Sequence, residues 1–572
     1  MKHVLREFFK ERIREVFHKD TIDSHRVRFH NTNSLLKELR SLIIDWRKNK
    51  IKQFDTVSLC ATELIDSLKA DEYISMERFN KELFIDDLTK LAKSEGKNSN
   101  GGHELFILDK LIKGNRIEYL SVLFINLEEY LNTEEDYTEE KFVPKIKQVD
   151  NLISKLGTEL INRGFSKRYI YTCVNQMINK SDFERQFHIF KSKFLTEDVP
   201  EFIVIYKIWT PSTQLLNYGI PDIYEDVPEE YLSEKVKIKY PKLVQKEEGS
   251  CFFIFNSQSK DYHNAIKSSK AKLAFLLDQV HLGITNVNIS IPDTALVINL
   301  ANIDKGASQL TNYMMDGVFG NDISLFLRFY PLIGAVEEND NIEQDVKDRL
   351  NSALRYLRMG NTTVEMEQRF INYWIALEFL FSSPETNENT FTRLKTHLIN
   401  ILYCSYPRRN VLFLNEELVK KGYIESGTCF SIENIDDLIS RITSPLLKYR
   451  MHDIKSKLFN HTKNRKDYLS NHETNLTRHL VRIYRLRNEL IHEAAINQDI
   501  ENITSNLRYY LVFLLNQAIV YFSNVPESGN DCYRKVSMND FFSEYIIFKK
   551  LIQQNYDLAV IMDIPLEIDL IS

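Results

Sequence analysis

Glycine and proline are scarce in this sequence, with 17 and 13 residues among 572. Both numbers lie below the shares usual in globular proteins, and a turn-rich all-β architecture would need more of each. Apolar residues make up 43% and charged residues 27%, which is typical of a globular protein and excludes wholesale disorder. The composition therefore predicts a mostly helical fold, and the length predicts more than one domain.

Cysteine and long apolar runs are also scarce. The longest apolar stretch, 509–522, is shorter than the roughly 20 residues that cross a bilayer, and the first residues do not resemble a secretion signal. No cysteines form a C-x-x-C pair, which is typical of reduced thiols rather than of disulfides or zinc sites. The six are Cys60, Cys173, Cys251, Cys404, Cys429 and Cys532. We therefore expect a cytoplasmic protein with no membrane segment.

The sequence lacks the signatures of several large enzyme classes. It contains no phosphate-binding loop, no H-E-x-x-H, no G-x-S-x-G and no dinucleotide glycine triplet. These absences argue against an ATPase, a zinc hydrolase or a serine hydrolase, and we predict no metal and no cofactor. The net charge of −6 also means that any contact with nucleic acid depends on local basic patches.

Apolar periodicity divides the chain into regions of different character. Short β-like runs occur at 202–206, 251–255, 286–291 and 295–300, whereas helical spacing dominates elsewhere. The acidic stretch 336–345 marks the clearest boundary. We predict a helical N-terminal region (1–200), a mixed α/β element (201–335), a helical bundle (336–530) and a tail (531–572) with one helix (541–553) and a strand-like end (558–570).

The most informative stretch is 482–492, which reads as one amphipathic helix. At about 100° per residue, one apolar stripe would form the core face: Ile483, Leu486, Leu490 and Ala494. The far side mixes polar and apolar residues: Tyr484, Asn488, Ile491, His492 and Ala495. Such a mixture predicts a second packing surface that includes Asn488 and His492, with Arg487 at its edge.

These residue types suit cleavage of an RNA strand. Histidine transfers protons near neutral pH, arginine binds a phosphate with a planar charged group, and asparagine can orient a ribose hydroxyl or a side chain. Attack of the ribose 2′-hydroxyl on the adjacent phosphate needs such groups and no metal. A structural Arg–Glu pair beside a core histidine would give the same spacing, so the residues alone leave both interpretations open.

Arg487-Asn488-x-x-x-His492 resembles the R-x4–6-H signature of HEPN ribonucleases, in the form found in the Apea-like group of bacterial anti-phage defence proteins. Upstream, the Trp374-Ile375-Ala376-Leu377-Glu378 helix is similar to the W-x-A-L-E helix of that group. Downstream, 506–522 is similar to its last long helix. The resemblance covers about 340–525 and identifies this region as a HEPN-like helical nuclease domain.

The resemblance implies a homodimer in which two such motifs form one composite cleft. It implies that Arg487 binds or activates the scissile phosphate and that His492 transfers a proton or stabilises the transition state. Asn488 would orient these two residues. Glu378, the polar residue of the partner helix, is expected near Arg487 as an orienting group, although a purely structural role remains open for it.

A basic stretch before the motif, 448–466, predicts where RNA is gathered, because cations attract phosphates and interleaved aromatic rings can stack on bases. A charge run of this kind can also be an ordinary solvated loop. The predicted RNA contacts are Lys455, Lys457, Lys463, Arg465, Lys466 and Tyr484.

The sequence thus predicts a metal-independent endoribonuclease that acts as a toxin-like effector of abortive infection, with transfer RNA as one candidate substrate. Products would carry 2′,3′-cyclic phosphate and 5′-hydroxyl ends. The expected partners are RNA, a second copy of the chain and a phage-derived trigger, which the N-terminal region would sense by analogy. The alternatives are a catalytically silent dimerisation or RNA-binding module and a regulatory adaptor of another enzyme.

Overall fold

The computed structural model describes residues 1–21, 30–51, 54–76, 79–94, 102–209, 221–283, 289–311, 317, 323–382, 389–492, 500–526 and 534–565. The chain is mostly helical with one small sheet, which confirms the predicted fold class. Within these residues, no helix is both long and apolar enough to cross a membrane.

Helices α1 to α8 form the first unit, here named the N-terminal body. Their bounds are α1 (Lys2–Phe17), α2 (Thr32–Arg47), α3 (Asp55–Ala70), α4 (Lys81–Lys93), α5 (Gly102–Leu131), α6 (Glu139–Asn162), α7 (Lys167–Ile178) and α8 (Phe183–Leu195). Side-chain caps fix several of their starts. At α2, for example, Asn31 and Ser34 form a reciprocal capping box. The apolar faces of all eight helices enclose one core.

A five-stranded antiparallel sheet follows in the order β2-β3-β1-β4-β5. It comprises β1 (Glu201–Trp209), β2 (Ile223–Tyr224), β3 (Ser250–Gln258), β4 (Thr294–Asn299) and β5 (Asn302–Leu310), with helices α9 (Glu234–Lys239), α10 (Pro241–Val244) and α11 (Tyr262–Gly283). Alternate residues of β1 face opposite sides: Val204 joins the core beneath α11, and Ile205 joins the other core. Three predicted strands are confirmed. Of the fourth, 286–288 lie outside the described residues and 289–291 do not form a strand.

The third unit, here named the bundle, contains the motif. Its helices are α12 (Ile323–Glu338), α13 (Gln344–Thr362), α14 (Met366–Phe381), α15 (Thr390–Lys420), α16 (Ile435–Arg441), α17 (Pro445–Ile454), α18 (Thr462–His492), α19 (Ile500–Ser523), α20 (Met538–Asn555) and α21 (Leu558–Met562). A six-residue π-helix, Lys455–Asn460, connects α17 to α18. The motif helix α18 is 31 residues long, which corresponds to about 46 Å.

The core of the bundle extends beyond both predicted boundaries, 336 and 530. Upstream, α12 contributes Phe329 and Val336 to this core. Downstream, Phe541 of α20 and Ile561 of α21 are buried in the same core, so the predicted tail packs as part of the bundle. The strand-like end predicted at 558–570 is wrong for its described part, because residues Leu558–Met562 form a helix. Residues 566–572 lie outside the described residues.

The N-terminal body contacts the bundle at α17. Glu11 of α1 accepts hydrogen bonds from the hydroxyl of Ser444 at 2.9 Å and from the backbone N–H of Leu446 at 3.0 Å, and so caps the start of α17. Arg450 of the same helix forms an ion pair with Glu15. These contacts place α2 and α3 beside the middle of α18.

Candidate active site

Two helices of the bundle supply the motif side chains. Helix α14 carries Trp374 and Glu378 one turn apart. Its residues Tyr373, Trp374 and Leu377 are buried in the core, which determines which face of the helix points towards α18. Helix α18 is fixed in the same way by Ile483 and Leu486, which confirms these two members of the predicted core stripe. Both helices therefore present the motif residues from rigid positions.

The structure brings Arg487 together with Glu378 and Asn488. Arg487 Nη2 lies 3.4 Å from Glu378 Oε1, and Arg487 Nη1 donates to Asn488 Oδ1 at 3.2 Å. Glu378 Oε1 also accepts a shorter hydrogen bond, 2.6 Å, from the indole Nε1 of Trp374. The prediction that Glu378 lies near Arg487 is confirmed.

The side chain of Arg487 is held in place with hydrogen-bonding capacity left over. It is 24% exposed, and Glu378 is 33% exposed. Two of the five guanidinium N–H donors are used in the contacts above. Nε is buried and donates to no described residue, which leaves one N–H donor on each of Nη1 and Nη2. An arginine in this condition can bind an anion such as a phosphate without first breaking a short ion pair.

His492 is the last residue of α18. Its backbone is helical, so its position follows Asn488 by one turn, as the spacing predicts. Its side chain lies outside what the structure describes, as do residues 493–499, which include Ala494 and Ala495. Ile491, on the predicted second surface, is 48% exposed.

Tyr484 belongs to packing within the chain. Its ring stacks on Phe391 of α15, with centroids 3.9 Å apart and planes 9° from parallel, and lies 5.9 Å from the ring of Trp374. An RNA base could stack on this face of Tyr484 only by displacing Phe391. Part of the predicted second packing surface is therefore already covered by α14 and α15.

The basic residues among the predicted RNA contacts are not brought to the motif. Lys463 and Lys466 are exposed at the start of α18, about 36 and 32 Å along the helix from Arg487 at 1.5 Å per residue. Others are engaged locally. Lys455 pairs with Asp436, Lys457 pairs with Asp453 at 2.7 Å, and Arg465 donates to the carbonyl oxygens of Leu458 and Tyr556.

Sequence reasoning missed a second set of charged residues on α18. Arg478, Arg482 and Arg485, here named the arginine stripe, lie on the side of the helix that faces the N-terminal body. Their spacing of four and three residues places them on one face, and this spacing was the available signal. Their partners are Glu38 of α2 and Glu63 and Asp66 of α3, here named the acidic face.

The close contact between the arginine stripe and the acidic face shifts the pKa values of the groups within it. Burial alone would raise the pKa of Glu38, but Arg482 and Arg485 hold it well below its ordinary range. Burial, together with the neighbouring charge of Arg482, lowers the pKa of His30 to about 4. At neutral pH the contact therefore contains an ionised Glu38 and a neutral His30.

Comparisons with protein-family models, with curated proteins and with solved structures find no match to this chain.

Proposed function

We propose that this chain is a metal-independent endoribonuclease of the HEPN type, an effector of anti-phage abortive infection with transfer RNA among its candidate substrates. The observation that carries the proposal is the guanidinium of Arg487, which is fixed by Glu378 and Asn488 in a side chain that is 24% exposed and has one N–H donor left on each of Nη1 and Nη2. The motif resemblance adds His492 one turn further along the same helix.

The proposed reaction is a transesterification. The 2′-oxygen of a ribose forms a bond to phosphorus while the bond from phosphorus to the 5′-oxygen breaks. The 2′-hydroxyl proton leaves to a base, and the 5′-oxygen takes up a proton, so no water is consumed. Arg487 would stabilise the charge on the phosphoryl oxygens, and His492 would take part in proton transfer.

We further propose that the chain acts as a homodimer through the bundle. Ile491 is 48% exposed one turn after Arg487 and is the residue at which this proposal is tested. Ile491→Asp should shift the protein towards monomer in sedimentation velocity experiments and lower cleavage in parallel. A wild-type protein that stays monomeric at micromolar concentration would contradict this part of the proposal.

The test is cleavage of total bacterial RNA by the purified full chain in EDTA. We expect wild type to cut and both Arg487→Ala and His492→Ala to lose at least 100-fold in rate. Arg441→Ala, which removes an exposed arginine that pairs with Asp437, is the matched control and should cut like wild type. Equal cutting by all four proteins would show that the site is assigned incorrectly.

One observation favours a different function. The ion pair between Arg487 and Glu378, anchored by Trp374, is also what a purely structural contact would contain. A silent dimerisation or RNA-binding module would bind RNA without turnover, and Arg487→Ala would weaken folding rather than chemistry. A regulatory adaptor would instead form a tight complex with a second enzyme.

A further inference from the structure

The arginine stripe leads along α18 towards position 492. Arg478, Arg482 and Arg485 are followed at the same spacing by Glu489 and then by position 492. Successive members lie about 6 and 4.5 Å apart along the helix axis. Arg487 lies about 180° around the helix from Arg478, so it contacts α14 and not the N-terminal body.

Each arginine of the stripe forms an ion pair with a carboxylate of the acidic face. Arg482 donates from Nε and Nη2 to both oxygens of Glu38, at 2.9 and 2.8 Å, and from Nη2 to Glu63 at 2.7 Å. Arg485 Nη2 reaches Glu38 at 2.8 Å, and Arg478 Nη2 reaches Asp66 at 2.6 Å. The side chain of Arg482 is only 6% exposed.

Stability alone is a weak reason for such a contact. The N-terminal body and the bundle have separate apolar cores, and this part of their contact is built from ion pairs. Buried ion pairs contribute little net stability compared with apolar residues of the same volume, because both charges lose their hydration. The guanidinium group also binds carboxylate and phosphate with the same planar geometry.

We propose that the arginine stripe is a binding surface for the backbone of single-stranded RNA and that the acidic face covers it by standing where phosphates would bind. This inference rests on the proposed function and deepens it, because it assigns the RNA-binding residues that the basic stretch at 455–466 does not supply near the motif. The N-terminal body then competes with RNA for α18, and RNA gains access when the two separate.

The experiment measures binding of a 12-nucleotide single-stranded RNA to the full chain at several salt concentrations. Every protein carries His492→Ala, so cleavage does not interfere. Replacing the acidic face by Glu38→Gln, Glu63→Gln and Asp66→Asn should lower Kd at least tenfold. Release of three phosphate-binding arginines should also steepen the slope of log Kd against log salt by about 2, at about 0.7 per contact for single strands.

Two controls distinguish exposure of the arginine stripe from a general weakening of the contact between the N-terminal body and the bundle. Glu15→Gln breaks a contact between the same two units at Arg450, away from the stripe, and should leave Kd within twofold of the parent. Adding Arg478→Gln, Arg482→Gln and Arg485→Gln to the acidic-face variant should remove its whole gain. An acidic-face variant that binds no more tightly, or a gain that survives loss of the arginines, overturns the inference.

A milder variant decides the matter where the triple substitution does not fold. Glu63→Gln with Asp66→Asn leaves Glu38 paired with Arg482 and releases Arg478, so we expect about threefold tighter binding and a slope steeper by about 0.7. No change in this folded variant overturns the inference. The proposed function is tested separately. If binding tightens as expected but the same variants with His492 restored never cut RNA, the endoribonuclease proposal fails and the binding surface stands.

Discussion

A single carboxylate oxygen, Oε1 of Glu378, accepts from both Trp374 and Arg487. The bond from Trp374 is the shorter of the two by 0.8 Å, since the distances are 2.6 and 3.4 Å. Trp374 therefore fixes the carboxylate, and the carboxylate orients the guanidinium of Arg487. Glu378 is a positioning residue in this arrangement, because its effect on the scissile phosphate passes through Arg487.

Glu378→Gln should lower the cleavage rate constant by about 10- to 100-fold, because misplacement of a catalytic group by about 1 Å has an effect of that size. The amide oxygen can still accept from Trp374, but the charge that attracts Arg487 is gone. Single-turnover kinetics should show this loss in the rate constant with KM unchanged. Glu365→Gln, an exposed carboxylate just before the same helix, is the control, and a Glu378→Gln rate within twofold of wild type would contradict the role.

Sequence reasoning at the residue scale succeeded where contacts follow from helical spacing and failed where they come from a third element. The proximity of Glu378 and Arg487 could be predicted from two motif helices. The stacking of Tyr484 on Phe391 could not, because no pattern within α18 shows what α15 presents to it. The partners of Arg482 were hidden for the same reason, since Glu38 lies 444 positions away in the chain.

At the scale of elements, the length of α18 decides what can act together. One continuous helix, Thr462–His492, carries the basic start and the motif. The predicted RNA contacts at its start are therefore separated from Arg487 by about 32–36 Å along the helix. They can assist only an RNA long enough to span that distance.

Lys463→Gln with Lys466→Gln should leave cleavage of a tetranucleotide within twofold of wild type. Four stacked nucleotides extend only about 14 Å, at 3.4 Å each along one strand. The same variant should bind RNAs of 20 nucleotides or more less tightly, because it loses two exposed cations that attract the backbone. Loss of tetranucleotide cleavage, measured beside Arg441→Ala, would mean that the start of α18 lies closer to the reacting phosphate than this geometry allows.

The contact between α13 and α14 depends on a glycine. A Cβ at Gly360 would collide with the ring of buried Tyr373, the neighbour of Trp374. Gly360→Ala should lower the free energy of unfolding by about 1–3 kcal/mol, because overpacking a core has this effect.

Gly334→Ala in α12 is the matched control, since no described residue lies within 4 Å of its added Cβ. Alanine favours a helix over glycine by about 1 kcal/mol, so this variant should be as stable as wild type or more stable. Chemical denaturation of both variants checks the prediction. A Gly360→Ala protein as stable as the Gly334→Ala protein would contradict the close packing of these helices.

Element types were predictable because apolar periodicity is local, whereas unit boundaries were not. Helix α12 (Ile323–Glu338) runs across the predicted boundary at 336, and its residue Phe329, which lies before the boundary, packs into the bundle. An acidic stretch in the sequence cannot show on which side of it the core continues. The strand predicted at 558–570 was wrong for a related reason. Residues 558–562 are apolar and suit either a strand or a short helix. Packing against the bundle favours the helix.

At the scale of the whole molecule, the N-terminal body holds α17 and α18 through charged contacts. Glu15 is one of them. Burial alone would raise the pKa of Glu15, but Arg450 and Arg12 lower it from 4.5 to about 2. Since the folded-state pKa is the lower one, the stabilisation is fully present above about pH 4.5 and is lost as the pH falls towards 2.

Glu15→Gln should therefore lower Tm most at pH 7 and progressively less below pH 4.5, because protonation removes the same charge from wild type. The stabilisation lost amounts to at most about 3 kcal/mol, at 1.36 kcal/mol per pKa unit. Asp109→Asn, which breaks the exposed pair with Arg40, should instead track wild type at every pH. A Glu15→Gln deficit in Tm that stays constant from pH 7 to 3 would contradict the lowered pKa.

The most direct test of the central claim removes one oxygen atom from the substrate. Once a cleavage site is mapped on a defined RNA, the nucleotide on the 5′ side of the scissile phosphate is made 2′-deoxy. We predict that the full chain cuts the all-ribose RNA in EDTA and leaves 2′,3′-cyclic phosphate and 5′-hydroxyl ends. The substituted site should remain uncut. Cutting at the 2′-deoxy site, or products with 5′-phosphate ends, would contradict attack by the 2′-hydroxyl at Arg487 and His492.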